Sequence, residues 1–178
     1  GTTSLAASNV NLTSEGFIDW AHWGRIDALT VDRKAGGTTQ ISKYIKIGDA
    51  NPSPTTRTRS AYSWADGTPL NAISGTNSGL WLFNVGKGLE FTVPADATSR
   101  TLKVFVSVKN SRGLLEARLS DGSSPAFSTF IDEPADRSSH VVTLNYQAAS
   151  AGQKLIVRYT VDTKYLPGWI SLDSAALQ

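Results

Sequence analysis

The chain has 178 residues, 40% hydrophobic and 18% charged, with a formal net charge of +2 from 17 basic and 15 acidic side chains. Its 0 Cys exclude disulfide frameworks, thiolate zinc sites and cysteine nucleophiles, and so small a net charge argues against a non-specific nucleic-acid binder with a broad basic face. No run approaches the roughly 18 consecutive apolar residues of a membrane span, so the chain reads as soluble, with neither membrane nor nucleic acid as partner.

Hydroxyl side chains take the place of charge: there are 21 Ser and 18 Thr, beside 15 Gly and 7 Pro. That mixture predicts many short strands joined by turns. The start at Gly1, without a Met or a basic-then-apolar leader, reads as a processed protein or an excised module. The absence of sulfur suits a secreted bacterial protein exposed to oxidants.

Residues 9–13 read as a first strand. Residues 14–24 have room for one helical turn, with Asp19 as its N-cap. In a helical turn Trp20 and Trp23 would share a side; in a strand their spacing of three puts them on opposite sides. Further strand candidates follow at 28–33, 41–47, 60–64, 80–83 and 89–93. The clearest is 102–109, where Leu102, Val104, Val106 and Val108 alternate with Lys103, Phe105, Ser107 and Lys109. The same alternation recurs at 115–119, 142–146 and 155–161, and 170–177 closes the series.

Gly36-Gly37, Asn51-Pro52-Ser53-Pro54, Asp66-Gly67, Gly86-Lys87-Gly88 and Asp121-Gly122 punctuate these runs, the last as a tight hairpin tip. No stretch holds helical periodicity over about ten residues. The expectation is one all-β domain over residues 1–178, an antiparallel β-sandwich of jelly-roll type, with strands 9–13 and 170–177 paired in one sheet.

Catalytic signatures are lacking. His22 and His140 lie on distant segments without an H-x-x-x-H pair, and there is no G-x-S-x-G elbow and no phosphate-cradling glycine motif. The acidic run Asp132-Glu133-Pro134-Ala135-Asp136 reads as a solvated loop, because Pro134 interrupts any strand. The chain is therefore expected not to be an enzyme and to need no cofactor. A structural Ca2+ is compatible with loop carboxylates, for which Asp19, Asp66 and Asp173 are the candidates.

The 5 Trp carry more information. The C–H face of a sugar ring packs on an indole face while its hydroxyls reach polar side chains at the rim. Trp169 follows Lys164, Tyr165 and Pro167-Gly168 in a segment that reads as a turning loop, where it either plugs the core or faces a ligand. Trp81 shares one face of its strand with Phe83 against Leu80 and Leu82 on the other, and its face is either core or platform. Trp64 ends a strand that has Arg57 and Arg59 upstream. Lys43 with Lys46, Arg57 with Arg59, and Lys103 with Lys109 read as solvated faces; two of these patches converging near Trp169 would select an acidic polysaccharide.

One set of segments occurs in a familiar order: Asn11-Leu12-Thr13-Ser14-Glu15-Gly16, Asp19-Trp20-Ala21-His22-Trp23-Gly24, Arg33-Lys34-Ala35-Gly36, Ser63-Trp64-Ala65-Asp66-Gly67-Thr68-Pro69, Val93-Pro94-Ala95-Asp96, Arg100-Thr101-Leu102-Lys103-Val104 and Leu119-Ser120-Asp121-Gly122-Ser123. It resembles the β-sandwich modules appended to secreted bacterial polysaccharide-degrading enzymes, and among these the carbohydrate-binding modules of xanthan-degrading enzymes. The resemblance implies an extracellular accessory module that binds a polysaccharide and is linked covalently to a catalytic domain. Trp20, Trp23 and Trp64 fall inside the shared segments, whereas Trp169 and Tyr165 lie outside them. The expected binding residues are Trp169 and Tyr165, with Trp81 or Trp23, and Lys164, Arg25, Arg57 and Arg59 for hydrogen bonds or ion pairs. The chain is expected to be a monomer. A structural or adhesive surface domain is the alternative, and a small polysaccharide lyase or glycosidase a third.

Overall fold

The computed structural model describes all 178 residues, and none of its helices is long and apolar enough to cross a membrane. The alternating segments form strands in this order: β1 (Thr2–Leu5), β2 (Asn9–Asn11), the single turn α1 (Leu12–Glu15), β3 (Asp19–Trp23), β4 (Val31–Lys34), β5 (Ile45–Ile47), β6 (Ser53–Thr55), β7 (Ala61–Trp64), β8 (Gly67–Thr68), β9 (Ile73–Thr76), β10 (Gly79–Leu82), β11 (Gly88–Ala95), β12 (Arg100–Leu119), β13 (Phe127–Tyr146) and β14 (Gln153–Leu177).

The helical turn lies earlier than the Trp spacing suggested. Asn11, not Asp19, caps it, its side-chain oxygen accepting the Thr13 N–H at 3.1 Å. Residues 19–23 are a strand, so Trp20 and Trp23 part company. Trp23 enters the main core, and Trp20 enters a second cluster on the far side of the sheet.

The three longest strands, β13, β12 and β14, run antiparallel side by side and build both layers of the sandwich. One half of this sheet holds residues 100–109 of β12, paired with 137–146 of β13 and 169–177 of β14; β1, β3 and β10 extend it. The other half holds residues 111–119, paired with 127–133 and 155–164, and is extended by β11 and β5. The four residues 96–99 carry the chain from β11 in the second half to β12 in the first, so the halves face one another. Tyr146 of the first half donates its hydroxyl to the Pro94 carbonyl of the second at 3.0 Å. The inward side chains of both halves, among them Val104, Val106, Val108, Leu115, Val157, Phe91 and Leu172, form one apolar core.

The fold-over is centred on Asn110, whose φ is 42°. In β12 this single residue separates Lys109 from Ser111. In β13 the residues 134–136 fill the corresponding gap between Glu133 and Arg137, and in β14 the residues 165–168 fill the one between Lys164 and Trp169. Two unequal bulges thus form a crest along the bend. Residues 162–169 are therefore part of a continuous strand with a bulge, and not a free loop.

A second sheet, in the order β2-β7-β9, covers part of the outer face of the first half, and β2 pairs with β7 in parallel. Seven buried residues fill this interface, Val10, Leu12, Trp20, Tyr62, Trp64, Phe105 and Ala176. This correction also concerns the chain ends: 9–11 belongs to the covering sheet, and the partner of the C-terminal part of β14 is β3. Because both its faces are covered, Trp169 through Leu177 is buried without alternation. The whole is an antiparallel β-sandwich of jelly-roll type.

Candidate functional site

The outer face of the first half is not covered to its end. Between the edge of the covering sheet and the crest, the register brings Trp81 of β10 beside Ser171 and Ser53, and Lys109 beside Trp169 and Arg137. The choice left open by the alternation in β10 is settled by packing. Leu80 and Leu82 enter the core, so Trp81 and Phe83 point outward and remain partly exposed. Their ring centroids are 4.8 Å apart, and Trp81 meets Trp169 edge-on at 5.9 Å.

Cations gather round this cluster. The Arg57 guanidinium lies 5.9 Å from the Trp81 ring centroid, and the Lys164 ammonium 6.0 Å from that of Phe83. Lys109 lies between Trp169 and Arg137 in register. Of the 17 basic residues, eight stand in ion pairs: Arg25, Lys34, Arg59, Lys87, Arg100, Lys103, Arg112 and Arg158. Arg57, Lys109, Arg137 and Lys164 are not among them. An overall charge of only +2 therefore hides four neighbouring cations outside any ion pair, of which Arg137 donates to the Arg57 carbonyl at 3.0 Å and lies close enough to Asp136 to lower its pKa.

The other residues expected at the site are dispersed. Arg59 stands beside this face but is bound to Asp136, and its Nε donates to the Arg137 carbonyl at 3.1 Å. Tyr165 lies in the crest bulge, where its hydroxyl donates to Asp132 at 3.2 Å; desolvation, and then the Asp132 charge, raise its pKa. Trp169 is only 4% exposed and supports the face from beneath. Trp23 is corrected to a core side chain, fully buried with its ring 5.4 Å from Phe91. Arg25 is corrected likewise, because its guanidinium grips the buried Asp32 with two bonds of 2.5 and 2.9 Å. Lys109 had a readable signal, an outward position in the clearest strand, but the register that puts it beside Trp169 is not local information. Arg137 had none.

Beneath the face lies a buried polar network. The register of β14 against β12 slips between Phe105 and Val106, so Asp173 and Ser174 both reach the outer side. Asp173 accepts hydrogen bonds from Ser107 and Ser171, each at 2.6 Å, and from the Tyr62 hydroxyl at 3.0 Å. Burial nevertheless pushes its pKa up to about 7. His22 is fully buried between Ser174 at 2.7 Å and Ser78 at 2.8 Å, and burial, aided by the charge of Arg25, lowers its pKa to about 3.

These two groups do not form a catalytic pair, since each is sealed beneath the covering sheet. His140 is half-buried in β13 against Ser138, and desolvation lowers its pKa. The candidate calcium ligands do not fit a common metal. Asp19 accepts the Gln40 and Ile41 N–H groups, Asp66 holds Thr13, Trp20 and Lys34, and Asp173 is engaged as described. No group of three or more His, Asp or Glu converges anywhere in the chain. An open cleft of about 510 Å³ beside Phe127, Arg118 and Gln147 lies at the far end of the sandwich from the crest.

No family model matches the chain, and no curated protein does. Among solved structures, similarity is found to the enzymatically active domain of tailspike protein 4 of bacteriophage CBA120, with 11% identity over 79% of this chain and 20% of that one, and a TM-score of 0.46. The CBM22-1–GH10 modules of Clostridium thermocellum endo-1,4-β-D-xylanase 10B, complexed with xylohexaose, give 13% identity over 76% and 26%, with a TM-score of 0.45. A family 61 carbohydrate-binding module in complex with β-1,4-galactotriose gives 13% identity over 77% and 88%, with a TM-score of 0.47. This chain thus spans a fifth to a quarter of the first two, and at these scores the likeness says nothing of its ligand.

Proposed function

We propose that the chain is a non-catalytic module that binds an anionic polysaccharide on the face formed by Trp81 and Phe83. The observation that carries this reading is the set of four cations outside any ion pair, Arg57 against the partly exposed Trp81, Lys164 against Phe83, and Lys109 with Arg137 on the strands beside them. The C–H side of a sugar ring packs on Trp81, and Arg57 and Lys164 meet carboxylates on the same or the next residue of the polymer. Neither basic side chain has to leave a protein partner to do so. Xanthan, which carries carboxylates, is the polymer suggested by the sequence resemblance. On this reading residues 1–178 act as one monomeric, secreted unit that holds a covalently linked catalytic domain at its substrate.

Affinity electrophoresis tests the proposal, in gels cast with xanthan, with a neutral β-glucan and without polymer. Wild type should be retarded by xanthan alone, less so as salt is added, and Trp81→Ala should migrate as in the blank gel. Retardation by the neutral glucan would discard the role of the cations. No retardation in any gel would overturn the proposal in favour of a structural or adhesive domain.

A further inference from the structure

The segment 56–60 that carries Arg57 over Trp81 belongs to no strand. On one side Asn77 holds it, donating to the carbonyls of Thr58 and Ser60 at 3.2 and 3.0 Å. On the other side the Arg59 and Ser60 N–H groups both donate to Ser139 Oγ, at 3.0 and 3.2 Å. Ser139 Oγ lies 2.7 Å from Ser107 Oγ, and Ser107 Oγ lies 2.6 Å from Asp173 Oδ2. All three of these side chains belong to residues that are at least 96% buried.

Counting lone pairs fixes the direction of this chain. A hydroxyl oxygen accepts two hydrogen bonds and donates one. Ser139 has both lone pairs taken by the segment, so its hydrogen must go to Ser107, and the Ser107 hydrogen must then go to Asp173. We propose that Asp173 is a positioning residue for the ligand face: through Ser107 and Ser139 it holds segment 56–60, and with it Arg57, in place over Trp81. This inference adds to the anionic-polysaccharide reading and rests on it for its functional meaning.

The carboxylate is the charged end of the chain, and a charge-assisted bond is stronger than a neutral one. A proton on Oδ2 would compete with Ser107 and Tyr62, which both donate to that oxygen, and would remove the charge that strengthens the Ser107 bond. A proton on Oδ1 would compete with the Ser171 hydroxyl in the same way and would likewise remove the charge. The titratable groups facing Asp173 are Tyr62 on β7 and Tyr159 on β14, both with pKa values raised well above 10. Beyond Tyr62 lies His22, neutral at these pH values, and then Arg25, compensated by Asp32. Asp173, with its pKa near 7, is therefore the group in this network that titrates around neutrality. The hold on the segment should tighten as pH rises through that value.

Amide hydrogen exchange by NMR tests this without any ligand. In Ser139→Ala and Asp173→Asn, the Arg59 and Ser60 amides should exchange about tenfold faster or more, while core amides such as Val104 keep their protection. In wild type, exchange at these two amides, corrected for its intrinsic pH dependence, should slow between about pH 5.5 and about pH 8.5, and Asp173→Asn should abolish that change. Unchanged exchange in Ser139→Ala, or a pH response that survives in Asp173→Asn, would overturn the inference. Xanthan retardation of the same variants separates the two proposals. Altered exchange in a protein whose wild type ignores xanthan refutes the functional reading and leaves the positioning intact.

Discussion

The Trp81 and Trp169 rings meet edge-on at 5.9 Å, yet only Trp81 reaches the surface. One indole is thus accessible at the surface and its neighbour is a buried support. Replacing each should separate binding from stability. Trp169→Ala removes a large buried ring and is expected to cost about 3–5 kcal/mol in urea denaturation. Trp81→Ala should cost far less and abolish xanthan retardation in affinity gels.

The basic side chains at the face are expected to act in parallel. Arg57→Ala and Lys164→Ala should each weaken xanthan binding about fivefold, in line with an exposed charge-assisted contact, and the double variant should show a shallower salt dependence. Titration of binding at several salt concentrations checks both. A variant that binds as tightly as wild type does not contribute a contact.

Arg25 is predicted to behave in the opposite manner. Its partner Asp32 has a side chain only 1% exposed, so Arg25→Ala leaves a buried carboxylate without its cation. The expected loss is about 3–5 kcal/mol of stability, with polymer binding unchanged where the protein is folded. Adding Asp32→Asn should recover part of it. Thermal unfolding of the single and double variants reads this directly.

His22 and Asp173 give opposite slopes of stability against pH. His22 has a folded pKa near 3 against an ordinary 6.5, so its contribution is present above 6.5 and is lost as pH falls towards 3. Asp173 has a folded pKa near 7 against an ordinary 3.8, so its contribution is present below 3.8 and is lost as pH rises through 7. Between these limits the two oppose one another. His22→Gln should therefore become less stable from acid to neutral pH, and Asp173→Asn more stable. Urea midpoints across this range provide the check, and equal slopes in both variants would refute the assignment.

Much of the fold was legible because strand alternation is local. The period-2 patterns in β10, β11 and β12 and the apolar segment at 170–177 give the elements directly. What alternation leaves open is which face a neighbour covers. Trp81 could not be assigned from its strand, since both faces of β10 carry large apolar side chains. Arg57 and Arg59 looked paired on one strand face, but β7 begins only at Ala61, which frees them to turn to different partners. Trp169 looked like a loop residue because Pro167 and Gly168 precede it. Backbone pairing resumes immediately after the bulge and buries it. The convergence of Lys109, Arg137 and Lys164 depends on long-range register, which no local pattern contains.

The crest has a consequence for how such a surface changes over time. Asn110 is the one residue between the two halves of the central strand, while its neighbours cross the bend with three residues, 134–136, and four, 165–168. Pairing is complete on either side of these crossings, so their length is not dictated by the sheet. The exposed residues 134–136 can be gained or lost without moving the core, whereas Gly168 in the other crossing packs against Asn110 and Ser111 with no room for a Cβ. The proposed recognition surface beside the crest, which includes Lys164, is therefore able to change along that exposed crossing while the sandwich that supports it is inherited unchanged.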